Sequence, residues 1–152
     1  LSAAHAPLVG FCDADGSTTL SEMLRLFSCL GTNDGAIGSR WVEGSTLKVR
    51  QGILRRLESR SFNFLIRCLF GLSFHDTQCG AKVFRKTAID TILTSMVSRG
   101  FEFDVELLWR LRRAGCKVVE VPIVWQNKGD SRVRKRDMMR MVAGLFRVRL
   151  GL

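Results

Sequence analysis

The run Leu8-Val9-Gly10-Phe11-Cys12-Asp13-Ala14-Asp15-Gly16-Ser17 decides how the rest of the chain is read. Its first five residues are apolar or small, as in a buried strand. Asp13 and Asp15 follow at i and i+2, so a strand continuing through them would turn both carboxylates to one side. Gly16 permits a turn, and Ser17 or Thr18 is placed to cap a helix. Paired carboxylates at the carboxyl end of a strand suit a hard divalent cation, and such a cation suits a diphosphate. An ordinary polar turn uses the same residue types, so these residues alone leave both readings open.

The surrounding composition narrows the choice of class. With 152 residues, 46% of them hydrophobic, and a mean hydropathy of +0.08, the chain can bury a core and reads as one domain, residues 1–152. Five scattered cysteines form no Cys-x-x-Cys pair, which argues against a zinc site and for a reducing compartment. His5 and His75 have no partners at ligand spacing. No apolar run is long enough to span a bilayer. The net charge of +10 is uneven: residues 1–39 hold one basic and four acidic side chains, whereas residues 128–152 hold eight and two. An acidic start and basic blocks suggest a cation-binding edge beside surfaces that attract anions.

In chain order, strands alternate with helices, which predicts an α/β fold. Leu20, Met23, Leu24, Phe27 and Leu30 recur at helical spacing, and Gly31 ends that helix. Gly35 to Arg40 reads as a short buried strand delivering Arg40 to its carboxyl end. From about residue 47 to 74 a wide apolar surface is threaded with Arg50, Arg55, Arg56, Arg60 and Arg67. Such a segment can lie in a membrane interface or pack as an ordinary amphipathic helix. Asp76 to Phe84 is a polar loop running into a strand, and Thr87 can cap the helix that follows. A helix opening at Phe101 has an acidic first turn and stops at Gly115. Val119 to Trp125 alternates as an edge strand because Pro122 cannot donate within a central ladder. A basic loop and a basic amphipathic helix occupy residues 128–150.

Taken together, Asp13-Ala14-Asp15-Gly16, Gly38-Ser39-Arg40, Asp76-Thr77-Gln78-Cys79-Gly80, Phe103-Asp104-Val105-Glu106-Leu107-Leu108 and Gly129-Asp130-Ser131-Arg132-Val133 resemble the family 2 glycosyltransferases. The likeness is greatest to the dolichyl-phosphate glucose synthases, with the polyprenyl-phosphate mannose synthases close behind. It implies a GT-A fold, a Rossmann-like mixed sheet flanked by helices, of which this chain is the carboxyl-terminal portion. It implies transfer of a hexose, with inversion, from a nucleotide sugar to dolichyl or polyprenyl phosphate. UDP-glucose is the favoured donor and GDP-mannose the alternative. By the same resemblance Asp13 and Asp15 hold Mg2+ or Mn2+ at the donor diphosphate, and Ser17 stands where some relatives place a third ligand. Arg40, Arg55 and Ser59 fall where the acceptor phosphate is held. Ser131 and Arg132 lie in a loop over the donor phosphates, with arginine where lysine is common. Asp76 is the catalytic candidate beside Asp15, either orienting the sugar or nucleophile or acting as a base. Gln78 holds a sugar hydroxyl or the loop itself, and Glu102, Asp104 and Glu106 are in reach of the sugar.

The family begins with a strand-helix-strand half that reads the nucleotide base. This chain starts just before the cation motif, so it is expected to be part of a longer enzyme or a shortened relative. The chemistry agrees with the resemblance. A phosphate monoester has a second pKa near ~6 and is already anionic at neutral pH, so it needs less help from a base than a hydroxyl does. The site must instead offset repulsion between an anionic nucleophile and an anionic leaving group, by a cation on one and arginines on the other. The expected setting is the cytoplasmic face of a membrane, with no nucleic-acid partner, because the phenylalanines fall at core spacing and tyrosine is absent. Transfer to a saccharide hydroxyl and a non-catalytic basic membrane-binding module are the alternatives.

Overall fold

The computed structural model describes residues 1, 3–47, 53–98, 100, 102–126 and 135–151, with side chains described from residue 60 and from residue 139 in the second and last helices. Four strands form the main sheet: β1 (Leu8–Phe11), β2 (Gly35–Ser39), β4 (Lys82–Arg85) and β5 (Val118–Pro122), in the order β1-β4-β2-β5. β4 runs antiparallel to both β1 and β2, while β2 and β5 are parallel, so the sheet is mixed. β3 (Thr46–Leu47) and β6 (Val124–Trp125) pair as a small second sheet. The helices are α1 (Leu20–Cys29), α2 (Ile53–Phe70), α3 (Lys86–Ile92), α4 (Phe103–Arg113) and α5 (Lys135–Leu150).

Side-chain alternation divides the core in two. On one face Val9, Ile37 and Phe84 pack under residues of α2, α3, α4 and α5, including Ile66, Phe70, Ile89, Leu108 and Leu145. On the other, Ala36, Val83 and Val121 meet Met23 and Leu26 of α1 together with Trp125 of β6. Helices therefore cover both faces, as the α/β reading requires. β5 is an edge strand, and Pro122 stands at its last position opposite Ser39.

Several local expectations are corrected. α1 is rotated from the predicted face: Leu26 is fully buried, whereas Leu20 and Leu24 are 76% and 60% exposed. Its cap is Thr19, whose hydroxyl accepts from the Glu22 N–H, and not Ser17 or Thr18. Thr87 lies inside the first turn of α3, which has no side-chain cap. The run Val119–Trp125 is not one strand, because after Pro122 the chain changes partner from β2 to β3.

The outer helices carry a second apolar face. In α5, Met141, Leu145 and Val148 point into the core, while Met139, Phe146 and Leu150 are 71%, 47% and 68% exposed. Three to four residues make a turn, so the exposed set forms a stripe opposite the buried one, flanked by Arg140, Arg147 and Arg149. α2 lies against α5, where the Arg149 Nε donates to the Leu69 carbonyl at 3.1 Å, and it exposes Phe64 and Leu65.

Candidate active site

The parallel strands β1 and β2 end at one edge of the sheet, and antiparallel β4 begins there. Three connections are thus delivered to one place: residues 12–17 after β1, Arg40 after β2, and the loop 71–81 before β4. β1 stops at Phe11, so strand alternation does not reach Asp13 and Asp15. A turn positions them instead: the Asp15 Oδ1 accepts from the Ser17 N–H at 2.8 Å, and Gly16 adopts a φ of 69°. Asp13 lies over Gly80. The register pairs Phe11 with Lys82, which sets residue 13 opposite residue 80, and a Cβ on Gly80 would overlap the Asp13 carboxylate. Partial burial raises the Asp13 pKa, with the charges of Asp15 and Asp104 adding to it and Lys82 and Arg40 opposing.

Asp104, in the first turn of α4, reaches the same edge and pairs with Lys82, Asp104 Oδ1 to Nζ 2.8 Å. Lys82 is fully buried and also donates to the Cys79 carbonyl. The other two acids of that segment are elsewhere. Glu106 is fully buried and accepts from the N–H groups of Val97 and Ser98 and from Arg110 Nε, tying the 97–98 turn to α4. Glu102 accepts from the Gly100 N–H and sits against Gly144 of α5. Of the three, only Asp104 faces the site.

Arg40 and Asp76 are brought together as a pair. The Arg40 Nε and Nη2 donate to Asp76 Oδ2 and Oδ1 at 2.7 and 2.9 Å, and the Arg40 N–H donates to Oδ2 at 3.1 Å. Burial works against the Arg40 charge, but Asp76 outweighs it and raises the guanidinium pKa. The indole rings of Trp41 and Trp125 lie 5.9 and 5.5 Å from the guanidinium carbon. In this arrangement Asp76 is the counterion of Arg40.

The loop bearing Asp76 is itself fastened from two sides by residues that the sequence did not single out. Glu120 of β5 accepts from the N–H groups of His75 and Asp76 at 2.9 and 2.7 Å, and Asn63 of α2 accepts from Thr77 Oγ1 at 3.0 Å. Gln78 is half-buried on the same loop. Burial pushes the neighbouring Cys79 thiol up to about 11, so it stays protonated and inert. Trp41, Arg60, Asn63, Phe64, Arg67 and His75 line a groove of about 400 Å3, Trp41 and His75 being the chain neighbours of Arg40 and Asp76. The side chains of Arg55 and Ser59, and all of Ser131 and Arg132, lie outside the described residues.

The donor set fits a hard cation in kind, being all oxygen, with the fully buried Ser17 Oγ unpartnered beside it. It does not form a closed cage: among the described residues no three Asp, Glu, His or Cys side chains converge as a metal-binding group.

Glu106 yields a pH expectation. Burial would raise its carboxyl, but hydrogen bonds from Ser98, Arg110 and Val97 lower it below the ordinary 4.5. A depressed folded-state pKa contributes stability that is complete above the unfolded value and is lost as pH falls through the folded one. Glu106→Gln is therefore expected to flatten the decline in urea stability between about pH 5 and pH 3, and to cost about 1–3 kcal/mol at pH 7. An unchanged acid limb would show that Glu106 does not govern it.

No family model matches the chain. Among curated proteins, a polyprenol monophosphomannose synthase of Mycolicibacterium smegmatis is 39% identical over 119 residues, covering 76% of this chain and 44% of the relative. A glycosyltransferase of Haloferax volcanii is 30% identical over 145 residues, covering 94% of this chain and 22% of the relative. A dolichyl-phosphate beta-glucosyltransferase of Drosophila melanogaster is 32% identical over 131 residues, covering 81% and 40%. The chain thus spans about half the length, or less, of the relatives it matches.

Proposed function

This chain belongs with the polyprenyl-phosphate glycosyltransferases to which it is homologous over most of its length, and on that premise we propose that the protein transfers a hexose from a nucleotide diphosphate sugar to a polyprenyl or dolichyl phosphate at a membrane surface. The observation that carries this reading is the convergence of the Asp13–Asp15 turn, Asp104 and the Arg40–Asp76 pair on one edge of the sheet. Several relatives are dolichyl-phosphate glucosyltransferases, which favours glucose, with mannose as the alternative.

In the proposed reaction an oxygen of the acceptor phosphate attacks the anomeric carbon, and the nucleoside diphosphate leaves from the opposite side, with inversion. Asp13 and Asp15 would hold Mg2+ or Mn2+, which when bound neutralises the departing diphosphate. Asp104 is the carboxylate best placed to accept from a sugar hydroxyl. Arg40 is kept rigid by Asp76, and the next residue, Trp41, lines the groove in which Arg60 and Arg67 supply positive charge while Phe64 and Trp41 supply apolar wall. A phosphate on a hydrocarbon tail suits that mixture. The free thiols support a reducing, cytoplasmic-facing location.

The outward stripe of α5 and the exposed Phe64 and Leu65 of α2, rimmed by arginines, support contact with an anionic bilayer. No helix among the described residues is long and apolar enough to cross a membrane. Phe146→Ser combined with Leu150→Ser is expected to reduce co-sedimentation with vesicles containing phosphatidylserine. Unaltered binding would move the membrane face off α5.

The test is to incubate the purified protein with polyprenyl phosphate, Mg2+ or Mn2+, and UDP-glucose or GDP-mannose in parallel, and to measure glycolipid. Product is expected with one donor and not after chelation. Asp15→Ala should lower it by about 10²-fold or more, as loss of a positioned charge at the reacting phosphates does. Normal turnover by Asp15→Ala, or transfer to a saccharide hydroxyl in place of the lipid phosphate, would overturn the proposal.

A further inference from the structure

Lys82 has no accessible surface, and it stands on an inner strand of the sheet between Ala81 and Val83. An ammonium there is costly unless it is paired, and an apolar residue of similar volume generally serves a core at least as well. Its purpose lies with what it touches. Register sets Lys82 beside Phe11 on β1 and Ile37 on β2, with the Phe11 ring 5.7 Å from Nζ. Its charged end reaches past that apolar floor to Asp104 and to the carbonyl of Cys79, so one atom joins α4 to the loop carrying Asp76. Two residues earlier on the same face, Gly80 makes the space that Asp13 occupies.

We infer that Lys82 is a positioning residue of the donor edge: its buried ammonium fixes the Asp104 carboxylate and offsets the negative charge of Asp13, Asp15 and Asp104. The inference rests on the proposed function for its meaning, but not for its test. One Asp104 oxygen is held by Lys82, and the carboxylate remains 24% exposed, which leaves the other oxygen available to a sugar hydroxyl. Three carboxylates alone at this edge would repel one another. With one ammonium among them the net charge is that which a single divalent cation balances. The edge is then preorganised before any ligand arrives, and a cation held there can still leave with product.

The experiment compares Lys82→Met, Asp104→Asn and the double variant with the parent protein. Mn2+ alone is titrated in the absence of donor, and melting temperature and turnover are measured. Removing the ammonium should tighten Mn2+ binding about tenfold or more, because a neighbouring charge of the same sign is lost. A merely structural lysine would not move that affinity. Each single substitution should lower turnover about 10- to 100-fold, and the double variant should be no worse than the poorer single one. If Lys82→Met does not fold, Asp104→Asn, at a partly exposed side chain, carries the turnover and Mn2+ arms. Parent protein that binds no Mn2+ would count against the cation in the proposed function, and the pair would still be read from melting temperature. Strictly additive melting shifts, or a folded Lys82→Met with parental Mn2+ affinity, would overturn the inference.

Discussion

Asp76→Ala is expected to destabilise the fold by about 3–5 kcal/mol and to remove transfer activity, because it strands a buried guanidinium without its counterion. Both Asp76 oxygens accept from Arg40, and one also accepts the Arg40 N–H. The side chain of Asp76 is 3% exposed and that of Arg40 15%, so water cannot replace what is lost. This outcome separates two roles that the sequence left open. A general base removed from an otherwise intact site costs roughly 10²- to 10⁴-fold in rate with little change in stability. A counterion removed from a buried pair costs stability first. Urea unfolding of Asp76→Ala decides between them, and replacing both partners by apolar residues should recover most of the stability while activity stays lost. Full stability in the single variant would restore Asp76 as a base candidate.

Gly80→Ala is expected to lower turnover by about 10²-fold or more while the protein remains folded. The added methyl would claim the volume in which the Asp13 carboxylate now sits, and the carboxylate is the movable member of that contact. Displaced by even about 1 Å, Asp13 no longer meets the geometry that a reacting phosphate demands. The substitution thus works as an indirect test of Asp13 that leaves its charge in place. Activity and Mn2+ affinity should both fall, whereas Gly31→Ala, at a solvent-facing turn with no atom near the new carbon, should leave both unchanged and affect only backbone strain. Parental activity in Gly80→Ala would show that Asp13 has room to move without consequence.

The elements were legible where the apolar period was strong, as in β1, β2 and α4, and where a glycine ended a helix. What escaped was set by tertiary pairing. The helical set in α1 was drawn to include Leu20 and Leu24, which the structure exposes; the sheet and β6 keep Met23 and Leu30 and add Leu26. The small second sheet depends on two residues at Thr46–Leu47, too short to show a period. At the site, Asp13, Asp15, Arg40 and Asp76 carried their chemistry in residue type and in the order of the motifs. Lys82, Asn63 and Glu120 did not, because a lone lysine in a strand reads as solvent-facing and an asparagine in a helix as surface. One signal was available: Lys82 sits inside the uninterrupted run Ala81-Lys82-Val83-Phe84 of a strand with buried neighbours on both sides, where a charge requires a partner. Glu106 and Glu102 were indistinguishable from Asp104 until the helix phase was known, since Glu102 is the N-cap residue of α4 and the other two lie in its first turn.

The insertion of β4 between β1 and β2 has a consequence for when this site can exist. The acidic turn near residue 13 and the arginine at residue 40 follow strands that are not neighbours; the strand that joins them begins at residue 82. A nascent chain therefore carries the acidic turn and the arginine for some forty residues with no surface to hold either in register. The groups that would repel or attract phosphate prematurely are kept apart until β4 arrives with Gly80, Lys82 and the Asp76 loop together. Pairing across such sequence separation is slow to form. Competence to react is in that sense a late-assembled property, completed only after β4, when α4 adds Asp104 and β5 adds Glu120.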